Sequence, residues 1–235
     1  LSDPPAERAR DPDSRCVKPP KMSMPPLSPQ EGYIFRITHV NNVPWILDHG
    51  LHCRNSGTTD PNFVPIGMPD LIDKRSSHPV PIAPHGTLAD YVPFYFTPHS
   101  IMLLNIKTGY NSVFKRPNAD IAILVSTLPE VAASGAKFVF TNGHAYMAGT
   151  EYYDDLARLD QIDWNILKRR DFKKTAEDID KSRRYQAEAL IHGHLPTAAL
   201  KGVACYTQDS ADRITAEITK RNLTLQAKAI PAWYF

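Results

Sequence analysis

The apolar and polar positions of this chain fall into short blocks whose period keeps changing. The first, YIFRITHV (33–40), is a β-type run. In the next, NNVPWILDHG, Val43, Ile46 and Leu47 have helical spacing, Asn41 or Asn42 is available as a cap, and Pro44 falls in the first turn. Gly50 stands where a helix-ending glycine belongs. YVPFYF (91–96) predicts an aromatic strand, and SIMLLNI (100–106) fits either a helix or a second strand. DIAILVS (120–126) reads as a buried strand. TLPE (127–130) has the spacing of a capping box, opening a short helix that Gly135 stops. KFVFT is a further strand that ends at the Asn142-Gly143 turn signal. Residues 151–170 mix charged and apolar positions at helical spacing. A strand GVACYT (202–207), a helix from about Ser210 to Arg221 and a strand near LQAKAI complete the pattern. The succession predicts an α+β domain of short, mixed strands.

Two stretches break the pattern. Residues 54–89 carry Pro61, Pro65, Pro69, Pro79, Pro81 and Pro84, with room for a short helix around Asp70 to Arg75. A connection this long inside a compact domain is more often a functional lid or binding loop. Residues 1–30 are rich in Pro, Ser and charge with almost no apolar periodicity. They read as a disordered tail or an extension not native to the protein, with Met22 or Met24 as candidate starts, and leave 31–235 as the folded domain.

Composition narrows the class without naming a function. Of 235 residues, 42% are apolar and 22% charged, ordinary values for a soluble globular protein, and a net charge of +2 is too small to imply a polyanionic partner. Cys16, Cys53 and Cys205 are far apart with no CxxC pair, so neither a disulfide framework nor a thiolate zinc site is indicated. The expected protein is cytoplasmic, with no membrane span, and monomeric, since no heptad or long apolar segment occurs.

The common nucleotide and hydrolase signatures are missing: no G-x-G-x-x-G, Walker loop, G-x-S-x-G or H-E-x-x-H. His192 and His194 lie two apart, but without a third ligand at matching spacing they read as a polar strand end, and no metal is expected. Basic residues cluster at Lys168, Arg169, Arg170, Lys173 and Lys174, then at Lys181, Arg183 and Arg184, with acids interspersed. That is a solvated helical face or a nucleic-acid track. RRYQAEALIHGHLP (183–196) is more pointed. If Ala187 to His192 form a strand, Gln186, Glu188 and Leu190 share a face, and a carboxylate beside an apolar strand is costly to desolvate without compensation.

YIFRITHVNNVPWILDHGL, LADYVPFYFTPHSIML, TNGHA and RRYQAEALIHGHLP, in this order, resemble the DarT family, bacterial ADP-ribosyltransferase toxins that use NAD to modify bases of single-stranded DNA. The resemblance spans about residues 31–235. It implies the split mixed-sheet fold of poly- and mono-ADP-ribosyltransferases, with an NAD cleft between the sheets. It also implies that Glu188 is the catalytic glutamate. Such a carboxylate would stabilise oxocarbenium character at the ribose carbon and, partly desolvated with a raised pKa, take the proton of the attacking base nitrogen. Arg75 falls on an essential arginine that would neutralise the NAD diphosphate or polarise a base carbonyl. Thr38 and His39 would meet the nicotinamide end of NAD, with Asn42 and Leu51 near the same cleft. His144, implied as catalytic together with Glu188 and Arg75, would face the DNA, Tyr95 and Met102 would line the base pocket, and Arg116 would contact phosphate.

The resemblance further implies a macrodomain antitoxin that hydrolyses the modification. Thymine is the expected base and guanine the alternative. Two other readings stand beside this one: the same NAD chemistry aimed at RNA or protein, and an inactive nucleic-acid-binding module that would not bind NAD.

Overall fold

The computed structural model describes residues 25–235; the part of the proposed tail before residue 25 lies outside the described residues. Leu27, inside the stretch read as tail, is buried in the core, so packing begins before residue 31. The elements run β1 (Tyr33–His39), α1 (Val43–His49), β2 (Leu51–His52), α2 (Pro69–Ser76), β3 (Tyr91–Tyr95), α3 (Ile101–Thr108), β4 (Ile121–Thr127), α4 (Leu128–Ala133) and β5 (Phe138–Thr141). They continue with β6 (Tyr152–Tyr153), α5 (Trp164–Arg169), α6 (Lys181–Arg184), β7 (Glu188–His192), β8 (His194–Leu195), β9 (Gly202–Cys205), α7 (Gln208–Lys220) and β10 (Ala227–Ala229).

Local chemistry explains the boundaries. SIMLLNI resolves as a helix because the Ser100 hydroxyl accepts from the Leu103 N–H and Gly109, at φ 76°, closes it. Thr127 caps α4 as the TLPE spacing predicts, accepting from the Glu130 N–H. Residues 151–170 are not one helix. They divide into β6, a 3-10 turn at Leu156–Gln161 and α5, capped by Asp163. The two-residue strands β2, β6 and β8 were not expected, since so short a segment carries no period.

Eight strands form one mixed sheet in the order β10-β9-β4-β1-β3-β7-β5-β6, and β2 pairs with β8 in a separate ribbon. β4, third in that order, is buried along its whole length. β1 pairs with β4 from Tyr33↔Thr127 to His39↔Ile121, and β3 pairs with β7 from Tyr91↔His192 to Tyr95↔Glu188. Between these halves β1 and β3 share the single pair Phe35↔Tyr95. The split-sheet expectation therefore takes the form of one sheet that opens from its middle. Pro93 supplies a reason. Its carbonyl accepts from Arg36 on the β1 side of β3, and a proline has no N–H to continue a ladder there.

On one flank α7 buries Ala211, Ile214 and Ile218, a stripe at helical spacing, and Arg221 just beyond it forks onto Asp48 at 2.6 and 2.7 Å, tying it to α1. Gly50 closes α1 at φ 77°. A Cβ there would lie 2.4 Å from His194 Nε2 and 2.5 Å from the Leu195 carbonyl, so only glycine lets the β2–β8 ribbon seat against the helix end.

Candidate active site

Glu188 opens β7 and is 1% exposed. Its register partner Tyr95 puts both side chains on one face, beside the opening between β1 and β3. Three donors compensate the buried charge. The Arg75 guanidinium donates to both carboxylate oxygens, at 2.9 and 2.7 Å, and the Ala145 N–H donates to Oε1 at 2.9 Å. Arg75 comes from the last turn of α2, inside the proline-rich connection. Ala145 is aimed by its loop: Thr141 Oγ1 donates to the Gly143 carbonyl, Tyr152 to that of Ala145 and Thr150 to that of His144.

Gln186 does not share this site. β7 starts at Glu188 rather than Ala187, and the Gln186 amide donates to the Ser182 carbonyl, closing the turn before the strand. That turn also absorbs basic residues considered as a nucleic-acid track. Arg183 pairs with Asp180, Arg184 with Asp163 and Asp178, and Lys181 with Asp171. Lys168, Arg169, Arg170, Lys173 and Lys174 remain exposed.

The electrostatics correct one expectation. Burial alone raises the Glu188 pKa, but the Arg75 charge and the hydrogen bonds donated by Arg75 and the Ala145 N–H outweigh it, and the carboxyl is held below its ordinary range. The reason is the bidentate arginine, whose own pKa burial lowers but Glu188 raises by more. His144 is pushed down, first by burial. Its Nδ1 accepts from the Tyr146 N–H at 3.2 Å, which leaves the neutral ring with its proton on Nε2. Nδ1 lies 3.7 Å from Glu188 Oε1, and with an acceptor on each side the contact is not an ion pair.

Two cavities occupy the opening and share Arg36, Thr38, Phe63, Ile72, Arg75 and Pro93 as a common wall. The larger, about 430 Å³, is lined further by Asn42, Trp45, Leu51, His52 and Arg54. The smaller, about 190 Å³, holds Glu188, Tyr95, Met102 and His144. Arg75 thus stands between a roomy, largely apolar lobe and a compact lobe containing the carboxylate. Burial pushes the Tyr95 phenol up to about 12, so it is a neutral hydroxyl at the wall. Arg116 reaches the rim of the small lobe, donating to the Pro65 carbonyl at 3.3 Å.

His39 is not brought to either lobe. It lines a separate polar depression with Asp120, Asp209 and Arg213, and its Nδ1 accepts from the Asn41 N–H. Alternation along β1 is the cause: Arg36 and Thr38 share the face opposite to His39. Arg36 is the residue missed by reading the sequence. It is half-buried, its pKa lowered to about 10 by desolvation, and its Nη1 spans the opening to the Pro93 carbonyl at 2.8 Å. Its Nε has no partner among the described residues. The lobe also carries Thr58, Thr59 and Asp60, and its three arginines, Arg36 with the orphaned Nε, Arg54 paired with Asp73 and Arg75, are the groups that fit an elongated diphosphate beside an apolar wall. The alternation of YIFRITH could have shown that Arg36 and Thr38 travel together.

Asn42 serves the lobe indirectly. Its amide donates to Thr38 Oγ1 and the Val64 carbonyl and accepts from the Val64 N–H, so no side-chain cap of α1 forms. Asn42→Ala is expected to cost about 1–3 kcal/mol, since it strands buried groups of Val64. Chemical denaturation would read this as a lower midpoint. His192 and His194 do not converge: His192 packs edge-on to Tyr91, while His194 and His52 both face the His49 carbonyl. Among the described residues no three His, Cys, Asp or Glu side chains form a metal-binding group.

The family model described as "ssDNA thymidine ADP-ribosyltransferase, DarT" matches residues 35–235. A DNA ADP-ribosyl transferase of Escherichia coli O127:H6 is 51% identical over 209 residues, covering 89% of this chain and 96% of that protein. The solved structure of Thermus sp. 2.9 DarT in complex with ADP-ribosylated ssDNA superposes with a TM-score of 0.80 at 28% identity, covering 88% of this chain and 97% of that one. The same Thermus protein in complex with NAD+ gives 0.74 at 27% identity, covering 88% and 98%.

Proposed function

From the premise that this chain belongs to the DarT family of single-stranded-DNA ADP-ribosyltransferases, we propose that it transfers the ADP-ribose of NAD to thymine in single-stranded DNA and acts as the toxin of a toxin–antitoxin pair. The observation that carries the reading is the buried Glu188 carboxylate, gripped by Arg75 where the two lobes meet. The large lobe takes NAD, with Arg36, Arg54 and Arg75 offered to its diphosphate and the apolar wall to its rings. The small lobe takes the base, between Tyr95, Met102 and His144.

When bound, NAD supplies a glycosidic bond to nicotinamide whose cleavage leaves positive charge on the ribose carbon. Glu188 lies where that charge develops, in a site shielded from water, so its negative charge counts for far more than it would in solution. Thymine in DNA has one ring N–H. Its proton leaves as the nitrogen bonds the ribose carbon, and Glu188 is the acceptor beside it.

While Arg75 holds both oxygens, the carboxylate is a weak base. Transfer of Arg75 to an anionic group of the substrate removes that positive charge and raises the proton affinity of Glu188 when it is needed. Neutral His144 donates from Nε2 toward a carbonyl of the base.

An enzyme that modifies template bases harms its own cell. A macrodomain-type ADP-ribosyl hydrolase as antitoxin follows from this, with the enzyme acting as a cytoplasmic monomer. Among the described residues no helix is long and apolar enough to cross a membrane.

The test is acceptor choice. With adenylate-labelled NAD and, separately, single-stranded DNA, RNA or a protein lysate, label is expected on DNA, and among homopolymers on poly-dT. Label confined to RNA or protein would overturn the DNA assignment while leaving Glu188 as catalyst.

A further inference from the structure

We propose that the loop joining α3 to β4 is a stacking platform for the nucleotide next to the modified base, with Phe114 and Tyr110 as its faces and Arg116 as its link to the active site. The proposal rests on single-stranded DNA being the acceptor.

Phe114 is 73% exposed and Tyr110 64%, more than any other aromatic side chain among the described residues. Their loop is nonetheless anchored. Val113 is buried beneath it, the Arg116 N–H donates to the Ile106 carbonyl, and the Asn118 amide donates to the Phe235 carbonyl. Rings held out into water on an anchored loop contribute nothing to the core, and an isolated one would need no explanation. Phe114 is not isolated from the site, and Tyr110 shares its loop, the Tyr110 carbonyl accepting from the Val113 N–H. The Arg116 guanidinium lies 4.9 Å from the Phe114 ring centroid, and its Nη2 donates to the carbonyl of Pro65, which lines the small lobe with Glu188. Arg116 Nε is buried with no partner among the described residues.

One cation therefore touches an exposed ring on one side and the rim of the base pocket on the other, with a donor to spare. A phosphate bridging the pocketed nucleotide and its neighbour matches that charge, and the neighbour's base then falls on the ring. Charge agrees: Lys107, Lys115 and Arg116 lie in the stretch 107–117, which contains no Asp or Glu. Aromatic faces beside a cationic track are the common means of holding single strands without reading their sequence.

The experiment compares wild type, the Tyr110→Ala/Phe114→Ala double variant, Phe114→Trp and an Ile179→Ala control. Affinity is measured for short oligonucleotides carrying one thymine, either intact or with an abasic site on one side of it. Both replaced side chains are exposed, so folding is not at stake. Alanine is expected to weaken binding of the intact oligonucleotide by roughly 5- to 150-fold per stacked base. Phe114→Trp and Ile179→Ala should bind like wild type. An abasic neighbour on one side should weaken wild type by the same factor and leave the double variant unchanged.

Double-variant affinity within about twofold of wild type would overturn the platform, as would equal losses on intact and abasic strands. Label transfer by wild type, run alongside, separates the two levels. Transfer to DNA with an indifferent double variant overturns the platform alone, whereas no transfer to DNA overturns the acceptor assignment as well.

Discussion

Glu188→Gln is expected to lower ADP-ribose transfer to single-stranded DNA by about 10³-fold or more, with NAD affinity changed by less than about tenfold. Glutamine keeps the size of the side chain and an oxygen for Arg75 or the Ala145 N–H, so the wall of the small lobe survives. On the proposed mechanism it removes the negative charge placed at the ribose carbon and the acceptor of the proton. Each of those effects alone is commonly worth about 10²-fold or more, and the proposed mechanism assigns both to one group. Single-turnover rates at saturating NAD and DNA would measure the loss. A variant that kept more than about a tenth of the wild-type rate would show that Glu188 holds Arg75 in place and does no chemistry.

Arg75→Met should have the second-largest effect, on stability as well as on rate. It leaves a buried carboxylate without its cation, a change that costs about 3–5 kcal/mol at neutral pH. The sign with pH follows from the direction of the Glu188 shift. In wild type the folded pKa is depressed, so the stabilisation is fully present above the ordinary value of 4.5 and is lost as pH falls through the lower folded value. In the variant burial dominates, the folded pKa rises above the ordinary value, and the penalty is largest at neutral pH. The stability gap between the two proteins should therefore shrink as pH falls toward 4.5. Denaturant midpoints across that range would show it, and a gap independent of pH would contradict the pairing. Arg75→Lys keeps the charge without the fork, and should be milder in stability yet still impaired in rate.

Much of this was legible before the coordinates. Strand runs such as DIAILVS and the caps at Thr127 and Gly50 are local signals, and the structure follows them. Pro93 was legible too, although its meaning was not. Inside YVPFYF it marks the edge along which β3 parts from β1. What sequence could not supply was long-range pairing. The Ala145 N–H and the Arg75 guanidinium meet Glu188 across 43 and 113 residues, and their sum reverses the pKa shift that burial alone suggests. His39 lines a different depression from the two lobes and Arg36 lines both, because motif resemblance names a segment while alternation along the strand decides which side chains face the cleft. For the basic residues at 181–184 the sequence left a solvated face and a nucleic-acid track both open, because the acids that pair with them are scattered from Asp163 to Asp180.

The most direct measurement is the intact mass of a single-thymine oligonucleotide after incubation with NAD and either wild type or Glu188→Gln. The expected result is one ADP-ribose added by wild type, none added to a thymine-free control strand, and none added by the variant at matched time. An unmodified thymine oligonucleotide with NAD consumed, or equal modification by Glu188→Gln, would contradict the assignment of this site as a Glu188-driven DNA ADP-ribosyltransferase.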